Sequence, residues 1–285
     1  RFRNTPSAVY FHENQITYPL SENAPKPDYH FGWINLATAA SSDRVFFNSL
    51  YHREAFLGGV AEALRNMPDH VPVGLVDSVF HKSSIFPVGT DFEDHNNALQ
   101  RNPRDPSSPP TIVWNHRWEY DKGPDTFFEA LFKLMEGGVL FQLVVCGESF
   151  KNQPSIFGKA REKLAPTIRH WGYFPQKTDY LECLATCDVI VSAAVHEFFG
   201  VSVPEAMYMG CLPVLPRRLS YPEIVPAHLH PFFLYDDDDQ LVDFLRSFLA
   251  QPPVEYRDEL REQMQTYDWQ ALAPVMDREL EDLAR

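Results

Sequence analysis

The sequence predicts an α/β protein of two doubly wound units, the first of them short of its opening strands. Three observations lead there. Past residue 110, short apolar runs alternate with amphipathic stretches, the pattern of βαβ units around a parallel sheet covered on both faces. Residues 101–110 (Arg-Asn-Pro-Arg-Asp-Pro-Ser-Ser-Pro-Pro) are polar, proline-rich and aperiodic, as a linker is. Upstream the count of strands comes out short: a doubly wound half starts with a strand and a phosphate-facing turn, and none precedes Ala8. The chain therefore divides into residues 1–107, the remainder of an N-terminal domain plus its linker, and 108–285, a complete C-terminal domain with closing helices.

In the first part, 8–11 and 44–47 are apolar enough for strands, with a third near 84–86 and helical patterns near 33–40 and 52–65. In the second, strands are expected at 111–114, 141–146, 170–173, 189–192, 212–215 and 232–235. Helices are expected at 124–135, through 159–164, around 178–186, at 204–209 and at 241–249. Pro124 and Pro204 sit near helix starts, where a missing N–H does no harm. Asp91, Glu93, Asp94 and His95 look like a polar loop.

Composition is ordinary for a globular protein, 44% apolar and 22% charged. No window approaches the roughly 20 apolar residues of a membrane-spanning helix, and no membrane association is expected. With 39 acidic against 25 basic side chains the net charge is −14, which repels phosphate backbones on average. Nucleic-acid contact then needs a local basic patch, and Arg1 with Arg3 does not amount to one. Four scattered cysteines make no disulfide framework, so a reducing, cytoplasmic setting is expected. Cys183 and Cys187, four apart in a helical pattern, suit either metal ligation or plain burial, and burial is preferred. The chain begins at Arg1 with no initiator Met and no signal-peptide pattern, which reads as a cut N-terminus.

Two segments carry chemistry. His196-Glu197-Phe198-Phe199-Gly200-Val201 follows a strand and leads into the helix that holds Glu205. This places both carboxylates at the carboxyl edge of the sheet, where open α/β sheets bind ligands. Backbone N–H groups near Gly200 and the helix start suit an anion, and carboxylates suit hydroxyls of a ribose or sugar; a nucleotide-sugar supplies both. Alternatively, Glu205 merely complements the helix dipole and Glu197 is a solvated charge. In the second segment, Trp114-Asn115-His116-Arg117-Trp118-Glu119-Tyr120-Asp121-Lys122, a strand runs into a loop with two cations. Arg117 and Lys122 there can neutralise a leaving diphosphate, or else are surface cations among Glu119 and Asp121. Trp114 and Trp118 suit core or wall packing better than base stacking. Asp236 to Asp239 is read as solvated helix-start charge rather than a magnesium site.

These residues resemble the retaining glycosyltransferases of GT-B type, family 4, in which a Glu, seven residues and a second Glu mark the donor site. Glu197 and Glu205 fit that spacing, and Arg117 and Lys122 match the family's pyrophosphate-binding cations. The segment from Val9 to Gln15, with Phe47-Asn48-Ser49 and the stretch from Phe86 to Asp91, is further similar to the tRNA-queuosine alpha-mannosyltransferase family. The resemblance implies two Rossmann-like domains, the N-terminal one incomplete and N-terminally truncated. It implies GDP-mannose as donor, queuosine of tRNA as acceptor, retention of configuration, and no metal or other cofactor. It assigns sugar hydroxyls to Glu197, the ribose to Glu205, phosphate or sugar to the amides around Phe198, Phe199, Gly200 and Val201, and a sugar-orienting role to His12. Two alternatives stay open: another nucleotide-sugar with a small or lipid acceptor, and a fragment that binds nucleotide without turnover. Oligomeric state is not legible.

Overall fold

The computed structural model describes residues 5–19, 30–67, 72, 74–101, 107–150 and 153–285. Arg1, Arg3 and residues 102–106 of the expected linker lie outside them. The chain forms two compact units, Arg1–Gly89 with Trp269–Arg285, and Thr90–Asp268.

The first unit runs β1 (Ala8–Phe11), α1 (His30–Ser41), β2 (Arg44–Phe47), α2 (Leu50–Arg65), α3 (Leu75–His81) and β3 (Ser83–Ile85). Its strands pair in parallel in the order β1-β2-β3, with Val45 between Val9 and Ser83. Phe11 stacks on Phe47 and Phe56 at 5.5 Å, which docks α2 on one face of the sheet. Ser49 starts α2 by accepting the His52 N–H on its hydroxyl at 3.0 Å.

The second unit opens with α4 (Glu93–Arg101) and β4 (Thr111–Trp114). Next come α5 (Pro124–Glu136), β5 (Gln142–Val145), α6 (Ile156–Lys163), β6 (Ile168–Trp171) and α7 (Lys177–Ala185). It continues through β7 (Val189–Val191), α8 (Ser202–Tyr208), β8 (Leu212–Pro216), α9 (Tyr221–Ile224), α10 (His230–Phe233) and β9 (Leu234–Tyr235), closing with α11 (Leu241–Ala250) and α12 (Arg257–Gln265). The parallel sheet has the order β6-β5-β4-β7-β8-β9. The chain thus winds outward from β4 in one direction and then from β7 in the other. β4 and β7 are buried throughout, as strands covered on both faces are. Trp114 and Trp118 are core residues: Trp118 lies flat on Phe157 at 4.4 Å and Trp114 stacks on Phe127 at 6.0 Å.

A last helix, α13 (Trp269–Ala284), belongs to the first unit, where Leu272 packs with Phe46 and Phe86. The units therefore divide after Gly89 and again after Asp268, where the sequence suggested a single division at 107/108. The reason lies in residues 90–101. Thr90 donates its N–H to the Tyr267 carbonyl at 2.8 Å, and Tyr208 donates to Asn96 at 3.0 Å, so this stretch is fastened to the second unit.

Three local expectations differ from the structure. Residues 91–95 are not a polar loop: Asp91 accepts the Glu93 N–H at 3.1 Å and starts α4, with His95 and Ala98 buried. The strand expected at 170–173 is Ile168–Trp171, because Gly172 at φ 128° turns the chain away. Of 232–235 only Leu234–Tyr235 is strand, since Pro231 opens a helical turn through Phe233.

Candidate functional site

The reversal of strand order between β4 and β7 is the topological switch point, and a crevice opens there beyond the carboxyl ends of the strands. The β4–α5 and β7–α8 loops meet at that place. Asp121 O accepts the N–H groups of Val195 at 2.9 Å and His196 at 3.3 Å. Gly123 makes the approach possible: at φ 64° it lies so close that a Cβ would stand 2.1 Å from the Ala193 carbonyl oxygen.

Lys122, only 6% exposed, lies between these loops. Its Nζ is 3.0 Å from Glu197 Oε2, 3.2 Å from Asp121 Oδ2 and 3.1 Å from the His196 carbonyl oxygen. Burial alone would depress the Lys122 pKa, but the carboxylates of Glu197 and Asp121 outweigh it and hold the ammonium above its ordinary value. Burial likewise pushes Glu197 up, and Lys122 outweighs it, so Glu197 titrates below the usual carboxylate range. Burial, reinforced by Lys122, pulls His116 down to about 4 and lowers His196. The cluster is a charged Lys–Glu pair among neutral imidazoles. Of the two sequence-predicted cations, Lys122 is thus brought to Glu197. Arg117 is a half-exposed side chain with Nη2 3.2 Å from Glu119 Oε2.

Beside this cluster a cavity of about 390 Å³ is lined by Asn115, Gly147, Phe174, Tyr180, Ser202 and Glu205, among others. Glu205, in the first turn of α8, offers its carboxylate there. Tyr180 donates to Glu205 Oε2 at 3.4 Å, and Asn115 Nδ2 fixes both the Tyr180 hydroxyl and the Ser202 carbonyl at 2.9 Å. Phe198 and Phe199 are buried, and the Phe198 N–H donates to Glu197 Oε1 at 3.2 Å. Gly200, at φ 77°, backs directly onto Glu197: a Cβ there would stand 3.0 Å from its Cγ. Val201 accepts the Glu205 N–H on its carbonyl at 3.1 Å as α8 begins.

In the first unit, His12 is exposed at the carboxyl end of β1 and rests on Tyr10 at 4.4 Å. Asn48 holds its backbone, donating to the His12 carbonyl at 2.8 Å, while His52 Nδ1 pairs with Asn48 Oδ1 at 2.8 Å. Asp236 and Asp238 pair with Arg217 and Arg218 at the surface, as solvated charge. Cys187 donates to the Cys183 carbonyl at 3.3 Å and all four cysteines are free thiols. Among the described residues no group of three or more His, Cys, Asp or Glu is arranged to hold a metal ion.

Sequence reasoning missed Asp121 as a buried counter-charge, Tyr180 and His95 as neighbours of Glu205, and Asn115 as the partner of Tyr180. Asn115 and Asp121 lie in the loop it singled out. Tyr180 and His95 come from distant helices and carry no local signal.

Comparison with known proteins agrees with this fold. Residues 96–267 match the family model of the group 1 glycosyl transferases, and residues 1–90 match that of the tRNA-queuosine alpha-mannosyltransferase N-terminal domain. The tRNA-queuosine alpha-mannosyltransferase of Drosophila melanogaster is 34% identical over 251 residues, 86% of this chain and 65% of that protein. A GDP-mannose-dependent alpha-(1-6)-phosphatidylinositol dimannoside mannosyltransferase of Mycobacterium tuberculosis is 24% identical over 172 residues, 60% of this chain and 44% of that protein. In fold, sucrose-phosphate synthase from Thermosynechococcus elongatus superposes with a TM-score of 0.73 at 20% identity, over 97% of this chain and 67% of that one. Anabaena HepE in complex with UDP does so with a TM-score of 0.69 at 15% identity, over 97% and 72%. The chain is thus an α/β protein of GT-B fold that belongs to the group 1 glycosyl transferases, and its first segment is similar to the N-terminal domain of the tRNA-queuosine alpha-mannosyltransferases.

Proposed function

We propose that this chain is a retaining glycosyltransferase that moves mannose from GDP-mannose to queuosine in tRNA. The observation that carries the chemistry is the meeting of Lys122 and Glu197 at the switch point, beside a cavity into which Glu205 faces. The first segment's family and the Drosophila relative's name carry the acceptor.

In this reading Glu205 takes the ribose hydroxyls in the cavity, and Lys122 with Arg117 meets the diphosphate. Glu197 holds hydroxyls of the mannose, supported by Phe198, Phe199, Gly200 and Val201, while His12 from the first unit orients the sugar. The bond from the anomeric carbon to the diphosphate breaks, and the acceptor hydroxyl bonds to that carbon on the same face. The acceptor's proton passes to the leaving phosphate. Catalysis comes from positioning and from cations aimed at the charge that develops, and the scheme calls on no metal ion. The cytoplasm, where tRNA and free thiols coexist, is the compartment it implies.

A second reading, another nucleotide-sugar with a small or lipid acceptor, draws on the phosphatidylinositol dimannoside in the mycobacterial relative's name and on the net charge of −14. Radiolabelled mannose supplied as GDP-mannose decides between them. Label entering queuosine-containing tRNA, and not tRNA lacking queuosine, is the expected result. No label in tRNA, together with a thermal shift larger for UDP-sugars than for GDP-mannose, would overturn the proposal in favour of the second reading.

A further inference from the structure

His95 stands out because its burial has no explanation in packing alone. It lies in the first turn of α4 with 0% of its surface exposed. Its Nε2 is 3.3 Å from Glu205 Oε1 without completing a hydrogen bond, and among the described residues Nδ1 has no partner either. An apolar side chain would fill the same space without the cost of an unsatisfied buried polar group. The ring is also held in place. It sits edge-on to Phe92 at 5.1 Å and to Tyr208 at 6.0 Å, and those two rings stack on each other at 3.7 Å. Tyr208 is anchored in turn through Asn96, which also accepts from Arg261 at 2.9 Å. The imidazole therefore cannot swing away from the carboxylate.

Glu205 is flanked on both oxygens, by His95 at Oε1 and by the Tyr180 hydroxyl at Oε2. A carboxylate has about four lone-pair sites, so two such neighbours fix its plane and leave the other sites for the cavity. We infer that His95 is a positioning residue, which holds the Glu205 carboxylate in the plane that accepts a nucleotide's vicinal ribose hydroxyls. With the proton on Nε2, a small turn of Glu205 toward a bound ribose closes the His95–Oε1 hydrogen bond. The inference rests on the nucleotide-sugar reading above and adds to it how the ribose is selected.

Calorimetry on the whole chain with GDP and with 2′,3′-dideoxy-GDP tests it. The wild-type chain prefers GDP. His95→Phe reduces that preference about tenfold by weakening GDP alone, the size of one hydrogen bond to a charged group. His95→Gln, whose amide also donates, recovers part of it. A Phe variant that keeps the full preference, or weakens both nucleotides equally, overturns the inference while leaving the nucleotide reading intact. A wild-type chain with no preference for GDP overturns the ribose role of Glu205 and the inference with it. Should His95→Phe fail to melt cooperatively, the His95 ring ¹⁵N resonances of the wild-type chain decide. They shift with GDP and not with the dideoxy compound if His95 acts through Glu205; an equal response to both overturns it.

Discussion

Lys122 donates to Glu197 and to the His196 main-chain carbonyl and ion-pairs with Asp121, so three oxygens surround its ammonium. A diphosphate reaches that ammonium only by exchange, and Glu197 is the exchangeable partner, since Asp121 is buried and the carbonyl is fixed by its loop. The two cations then differ as tests. Lys122→Ala should cut turnover more than about tenfold, but it also leaves two carboxylates unpaired at a loss of about 3–5 kcal/mol in stability. Arg117→Ala breaks a half-exposed pair with Glu119, which is worth about 1 kcal/mol or less. A fall of more than about tenfold in its turnover, measured beside an unchanged melting curve, is the expected result. An unchanged rate removes Arg117 from the clamp. Acid sensitivity is a property of this cluster too. The unfolded chain protonates His116 near the ordinary histidine value of 6.5 and the folded chain only near 4, so between those values the unfolded state holds the extra proton. Stability should therefore drop as pH falls through that window, by about 1.4 kcal/mol per pH unit. Glu197, titrating low, adds its loss only below the ordinary carboxylate range. Urea midpoints across the window should show the slope, and His116→Gln should flatten it.

At the scale of elements, the site exists because two loops from strands distant in sequence are drawn together at one glycine. Gly123 is both the left-handed residue before α5 and the point of contact with Ala193. Gly123→Ala should destabilise the chain by more than about 2 kcal/mol, through φ strain and displacement of the Ala193 carbonyl. Urea unfolding checks it, and a loss below about 0.5 kcal/mol would show that the loops adjust freely. α4 supplies the other lesson. Its polar face reads as a loop, yet Asp91 starts a helix whose inward side delivers His95 to Glu205 and Asn96 to Tyr208.

For the molecule as a whole, the second unit is one continuous stretch, Thr90–Asp268, whose ends are pinned by the Thr90–Tyr267 hydrogen bond and the Thr90–Asp268 bridge. All lining residues of the 390 Å³ cavity, and Lys122 with Glu197, lie within it. A fragment of residues 90–268 should therefore melt cooperatively and bind GDP with an affinity near that of the whole chain. Failure to fold, judged by circular dichroism and a thermal scan, would show that the second unit depends on residues outside 90–268.

The sequence by itself determined the alternation of strands and helices, the place of Lys122 and Glu197 in loops after strands and of Glu205 at a helix start, and the glycosyltransferase resemblance. The first two depend on periodicity or spacing within some fifteen residues. Where the units divide, that Arg117 pairs with Glu119 while Lys122 crosses to Glu197, and that His95, Tyr180 and Asn115 converge on Glu205, only the tertiary structure decided. Burial and pairing depend on which strands become neighbours. The β4–β7 crossover joins residues more than seventy positions apart, a distance over which no local pattern in the chain carries information.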